Sequence, residues 1–180
     1  KNNVEIFIGS QSDKYFLEEI KNKIPKVDIL IDDGGHSMEQ QITTFNILFN
    51  HIKEDGVYLC EDIHTSYWLY FGGGFKRRGT FVEFSKNFID QLNAFHSEQK
   101  QLRPNKFTHT VDSIHYYDSI LVIHKKRRNP PKNIVSGKIS SDNVKISNYS
   151  PNIKPFRDNR LLTIINKILR FFKFKSIVWK

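Results

Sequence analysis

"VDILIDDGGH", Val27 to His36, is an apolar run that drives straight into two carboxylates and, soon after, a histidine. The arrangement recurs in "GVYLCEDIHTSYW", Gly56 to Trp68. Runs of this length, rich in Val, Ile and Leu, read as strands buried on both faces. An unpaired carboxylate is too costly to leave in such a core. The acidic pairs Asp32/Asp33 and Glu61/Asp62 therefore mark strand ends.

The surrounding pattern supplies helices between strands. Val4–Gly9 reads as a strand, and Lys14 to about Ile24 as a helix capped by Asp13 and stopped by Pro25. Ser37 caps a second helix across "MEQQITTFNILFNHIK", where Ile42, Phe45, Leu48, Phe49 and Ile52 recur at helical spacing. "EDG" reads as a turn before a strand at Val57–Cys60. Thr80 to about His96 is amphipathic, and "FTHTVDSIHYYDSILVIHKK" gives two strands joined near Tyr117–Asp118. Alternation of this kind predicts an α/β fold: a parallel sheet with an antiparallel edge pair. Ligands of such sheets bind beyond the carboxyl ends of the strands. Gln11 to Asp13, Asp32 to His36 and Glu61 to His64 all fall there.

Size and composition agree with one core and an appendage. The chain has 180 residues, 38% hydrophobic and 13% aromatic. One cysteine, Cys60, excludes a disulfide framework and a cysteine-based zinc site. Its place in an apolar strand predicts a buried, inert thiol. No run of eighteen apolar residues and no signal peptide are apparent, so the expected location is cytoplasmic. Charge is divided unevenly. Residues 1–124 carry 13 Lys and Arg against 17 Asp and Glu, whereas residues 125–180 carry 15 against 2, leaving the chain at +9. The basic tail, not the domain, would seek anionic partners.

Asp32, Asp33, Glu61 and Asp62 offer an all-oxygen site, suited to magnesium, calcium or manganese before zinc. The competing reading is that these acids cap the helices that follow. His36 is placed for a base working near neutral pH, although a loop histidine is more often simply solvated. His64 is a weaker candidate, and His109, His115 and His124 suit packing in or near the edge strands. "GGG" at Gly72–Gly74 does not follow a strand directly, so a flexible lid is favoured over a phosphate loop.

The segments "GSQSD" (Gly9–Asp13), "IDDGGHSMEQQITTF" (Ile31–Phe45), "GVYLCEDIHTSYW" (Gly56–Trp68) and "SIHYYDSILVIHK" (Ser113–Lys125) together resemble the magnesium-dependent macrolide sugar O-methyltransferases, within the class I S-adenosylmethionine-dependent methyltransferases. The resemblance spans about residues 4 to 125 and implies a Rossmann-like fold. It implies S-adenosylmethionine and Mg2+ as cofactors, with Asp33, Glu61 and Asp62 as metal ligands and His36 as general base. Gln11, Ser12 and Asp13 would approach the adenine of the cofactor, and Tyr67 and Trp68 would wall the acceptor. The implied reaction is methyl transfer to a hydroxyl of a sugar or glycosylated small molecule, in glycan or natural-product biosynthesis. In the family pattern Val4–Gly9 would be the third strand. The chain is accordingly expected to be N-terminally incomplete, lacking the first, glycine-rich part of the cofactor site.

The expected organisation is a methyltransferase segment over residues 1–125, a linker over 126–159 and a basic amphipathic helix over 160–180. In that helix Leu161, Leu162, Ile164, Ile165, Ile168, Leu169, Phe171 and Phe172 roughly share a face, with Lys167, Arg170, Lys173 and Lys175 beside it. Such a helix suits an anionic membrane surface, peripherally bound. Packing on the domain or on a partner subunit is favoured slightly over this, and nucleic acid is the least favoured partner. A second functional reading is a non-catalytic methyltransferase-like domain that acts through this tail.

Overall fold

The computed structural model describes residues 3–134, 136–137 and 160–172. They fall into two units, divided between Asn133 and Ile134. The first holds helices α1 (Lys14–Lys23), α2 (Met38–Leu48), α3 (Phe81–Leu92) and α4 (Lys106–Thr110), and strands β1 (Val27–Asp32), β2 (Ile52–Cys60), β3 (Val111–Tyr117) and β4 (Ile120–Lys125). The second holds helix α5 (Arg160–Phe171).

The four strands form one sheet in the order β1-β2-β4-β3. β1 and β2 run parallel, with Asp32 level with Cys60, so both acidic pairs emerge at one end. β4 joins β2 antiparallel, and β3 closes the edge as the other arm of a hairpin. The expected mixed α/β sheet is therefore present.

Helix α1 starts where Asp13 accepts from the Tyr15 and Phe16 amides, which satisfies two donors that the first turn leaves free. Ser37 and Gln40 form a capping box at the start of α2, and the Thr80 side chain caps α3. These helices cover one sheet face with an aromatic core. The Phe45 ring stacks on Phe49 at 4.6 Å and on Phe88 at 4.5 Å, and meets Tyr58 edge-on at 5.3 Å. Burying a phenylalanine contributes about 1.5–3 kcal/mol, so this cluster anchors the helical layer.

The opposite sheet face is more open. Ile29 and Ile31 on the edge strand β1 are 61% and 60% exposed, and Val57, Leu59 and Val122 beside them are partly buried. That departs from the expectation of strands buried on both faces.

Five boundaries also differ from expectation, one of them the end of α3 at Leu92, followed by a separate 3-10 turn at Ala94–His96 in place of one helix to about His96. Val4–Gly9 forms no strand, and Val4, Ile6 and Ile8 are exposed; the segment joins none of the four strands, and an extended chain without a ladder partner is not a strand. Helix α2 ends at Leu48, a 3-10 turn covers Phe49–His51, and Ile52 already belongs to β2. "EDG" is not a turn but a bulged part of β2: Val27 pairs with Ile52 while Ile29 pairs with Val57. Gly56 is required there, because a Cβ would press on the Asp28 carbonyl. Finally, "FTHT" belongs to the short helix α4, capped by Asn105, and not to a strand. Of the expected linker, residues 138–159 lie outside the described residues, as do 173–180 of the basic helix.

Candidate metal and acceptor site

The loop after β1 is shaped by two glycines and one glutamine. Gln11 donates from Nε2 to Asp32 Oδ1 at 2.5 Å and to Thr44 Oγ1 at 2.9 Å, while its Oε1 accepts from the Gly35 amide at 2.9 Å. A Cβ on Gly34 would collide with this Gln11 amide, and one on Gly35 with the Gln40 amide. The loop thus wraps tightly against side chains on both flanks.

Asp32 turns inward. It is 4% exposed and accepts from Tyr58 Oη at 3.2 Å as well as from Gln11. Desolvation raises its carboxyl to about 6, although the bonds from Gln11 and Tyr58 and the nearby His36 pull the other way. A carboxyl so engaged serves the loop and not the open end of the sheet. Cys60 below it is buried, and desolvation pushes its thiol up, as expected for an inert cysteine.

Asp33, His36 and Asp62 converge. One ligand atom from each lies within 4.8 Å of the others. His36 Nε2 is 3.5 Å from Asp62 Oδ2 and 3.9 Å from Asp33 Oδ1. His36 Nδ1 is buried without a hydrogen-bond partner among the described residues. The imidazole therefore directs its Nε2 edge at the two carboxylates. Both His36 (φ 54°) and Asp62 (φ 50°) take up left-handed backbone, which costs a non-glycine residue about 1 kcal/mol. Strain of this kind persists where surrounding bonds fix it. Here Thr65 supplies them: its hydroxyl lies 2.8 Å from both His36 O and Asp62 O, tying the two acidic loops together.

Glu61 is not part of the convergent group. Its backbone is fixed, because its amide donates to Asp32 O at 2.9 Å and its carbonyl accepts from Gln41 Nε2 at 3.0 Å. Gln11 and Asp13 are already engaged, the first with the loop and the second as the α1 cap; Ser12 pairs its hydroxyl with Ser10 at 3.0 Å. Tyr67 and Trp68 are about half exposed, at the end of the 3-10 turn Ile63–Tyr67, and Trp68 meets the His64 ring edge-on at 4.6 Å.

The glycine loop donates inward and forms no phosphate cradle: Gly73 bonds to Trp68 O at 2.9 Å and Gly74 to Ser66 O at 2.8 Å. Thr65, Ser66 and Ser119, the last with its hydroxyl 2.5 Å from His64 Nδ1, were not singled out by sequence reasoning. The first two sit inside the quoted "EDIHTSYW", and Ser and Thr hydroxyls commonly bond to nearby backbone in turns.

An arrangement of two carboxylates and an imidazole, at the carboxyl ends of parallel strands, can hold a hard divalent cation and accept a proton beside it. No protein-family model matches the chain. The 8-demethyl-8-alpha-L-rhamnosyl tetracenomycin-C 2'-O-methyltransferase of Streptomyces olivaceus is 33% identical over 125 residues, 68% of this chain and 33% of that enzyme. Mycinamicin VI 2''-O-methyltransferase of Micromonospora griseorubida is 33% identical over 126 residues, 66% of this chain and 31% of its own. The solved structure of the MycE methyltransferase from the mycinamycin biosynthetic pathway, in complex with Mg and SAH, superposes with a TM-score of 0.62 at 31% identity. That match covers 67% of this chain and 32% of the other. The chain thus spans about a third of the length of the relatives it matches. In sequence and in fold, over that third, it is a relative of the macrolide sugar O-methyltransferases.

Proposed function

We propose that the chain carries the metal- and acceptor-binding part of an S-adenosylmethionine- and Mg2+-dependent O-methyltransferase, acting on a hydroxyl of a sugar or glycosylated small molecule. The observation that carries this reading is the convergence of Asp33, His36 and Asp62 within 4.8 Å, on the segment shared with relatives of that activity.

Asp33 and Asp62, with Glu61 as the third carboxylate, are the residues assigned to the ion. A bound Mg2+ would supply Lewis acidity, lowering the pKa of an acceptor hydroxyl. His36 takes the proton at Nε2, the edge it turns to the carboxylates. The methyl donor is already an activated sulfonium, so the residues contribute mainly orientation and deprotonation. We place the donor beside Gln11–Asp13, with Gln11 as the strut of the turn, Ser12 in the turn and Asp13 as its helix cap. Tyr67 and Trp68 form the wall against the sugar, since half-exposed aromatic rings offer apolar faces to sugar C–H groups. The reaction would take place in the cytoplasm.

The test is transfer of a labelled methyl group from S-adenosylmethionine to a panel of methyl glycosides, by the chain completed with the N-terminal cofactor-binding part of a relative, with Mg2+ and with excess EDTA. Mg2+-dependent labelling is expected. Transfer that survives EDTA unchanged would refute the metal reading.

We infer a second partner for the tail. On α5, Ile164, Ile168, Phe171 and Phe172 are between 53% and 66% exposed, and Lys167 is exposed beside them. Residues 159–180 contain six Lys and Arg and no Asp or Glu. An apolar stripe flanked only by cations fits an anionic membrane surface. No helix of the described residues is long and apolar enough to cross a membrane, so the association is peripheral.

A further inference from the structure

The hairpin at the far edge of the sheet reaches the candidate site. Ser119, in the turn between β3 and β4, accepts the Ile63 amide on its carbonyl at 3.0 Å. Its Oγ lies 2.5 Å from His64 Nδ1. The same Nδ1 is 3.7 Å from Asp62 Oδ1, and the His64 ring meets Trp68 at 4.6 Å. Asp62 is therefore flanked by two imidazoles, His36 toward Oδ2 and His64 toward Oδ1.

Backbone conformation points to the same spot. Among the described residues four non-glycines have positive φ: His36, Asp62, Lys76 and Ser119, the last at 63°. Three of the four meet here. Glycine would adopt φ 63° without steric cost, so a serine at this turn keeps its hydroxyl at the expense of backbone ease. The hydroxyl fixes one edge of the His64 ring. A ring fixed on that edge holds its flank against the Trp68 indole and keeps Nδ1 turned toward Asp62.

We propose that Ser119, acting through His64, is a positioning residue that sets Asp62 and Trp68 in place for metal and acceptor. The metal half rests on the function proposed above; the Trp68 half stands on the geometry alone.

Ser119→Gly in the full chain tests it, because this change removes the hydroxyl while relieving the backbone. Mn2+ serves as probe, with free Mn2+ read by electron paramagnetic resonance, and His64–Trp68 ring contacts are read as NMR Overhauser effects. The expected result is roughly tenfold weaker Mn2+ binding, the scale of lost outer-sphere support, and loss of the ring contacts. The thermal midpoint should not fall, and Ser119→Asn, which tolerates this backbone and keeps a hydrogen-bonding side chain, should retain both signals. Unchanged Mn2+ affinity would overturn the Asp62 half, and retained ring contacts would overturn the Trp68 half. A parent chain that takes up no Mn2+ would refute the metal reading itself, and the Overhauser effects would still decide the brace.

Discussion

Gln11 Nε2 lies 2.5 Å from Asp32 Oδ1, linking the turn before α1 to the end of β1. The same amide closes the Gly35 amide from its other side, so one side chain holds both the buried acid and the loop that carries Asp33 and His36. Gln11→Leu keeps the volume and removes three bonds, to Asp32, Thr44 and the Gly35 amide. The exposed Gly35 N–H can turn to water, but the buried Asp32 oxygen and Thr44 hydroxyl then lose a partner, at about 1–3 kcal/mol for a buried group left unsatisfied. Urea denaturation should show a loss on that scale, and a change below about 0.5 kcal/mol would contradict the strut.

Asp32 itself makes stability depend on pH. Burial raises its carboxyl to about 6 when folded, against about 3.9 when unfolded. Between those values the folded chain binds the proton more tightly. This contribution is therefore fully present below about pH 4 and is lost as pH rises through about 6, for a total on the order of 2–3 kcal/mol. Asp32→Asn keeps an acceptor oxygen for Gln11, lets the Tyr58 hydroxyl accept from its amide nitrogen, and removes the ionisation. Its stability relative to the parent should climb from pH 4 to pH 7. A flat difference across that range would show that Asp32 does not titrate there.

Asp62→Asn tests the cation site without disturbing the loop, since asparagine tolerates the left-handed backbone at φ 50°. Mn2+ affinity should drop by more than about tenfold, or at least about 1.4 kcal/mol. Methyl transfer should fall with it while the thermal midpoint stays near that of the parent. Equal Mn2+ binding by the two proteins would remove Asp62 from the ligand set.

For α5, the readout is sedimentation with lipid vesicles. Vesicles of phosphatidylcholine with phosphatidylglycerol should carry the chain down, pure phosphatidylcholine should not, and added salt should weaken the effect. Ile168→Glu with Phe171→Glu should release it. Indifference to the anionic lipid would dismiss the membrane, and tight binding to single-stranded RNA would assign the charge there instead.

Much of this site was legible because strands that end in carboxylates say where the chemistry gathers. β1 and the gathering of the acids and His36 at strand ends follow from "VDILIDDGGH" and "GVYLCEDIHTSYW"; the choice of Asp33, Asp62 and His36 among them rests on the family resemblance. Asp32 and Asp33 look equivalent in sequence, yet the two-residue period of a strand turns one inward and leaves the next outside. Val4–Gly9 carries a strand's alternation, but a strand exists only with a partner, and pairing is not written locally. Lys125 looked like the first cation of the tail. It is buried instead, donating to Ile52 O at 2.6 Å and lying over the Phe49 ring. Ser119 was silent for the same reason as Val4–Gly9: its partner His64 lies 55 residues away.

The open side of β1 governs a different property, colloidal behaviour. An edge strand that displays Ile29 and Ile31 beside unpaired backbone groups is a template for a second extended chain. Asp28, bonded to Lys53 at 2.8 Å, is the exposed charge of this strand and a weak deterrent. Light scattering from the purified chain should therefore grow with concentration, and Ile29→Lys should hold it monodisperse. Any metal titration on this protein belongs in the dilute regime, where one chain is measured and not a stack of them.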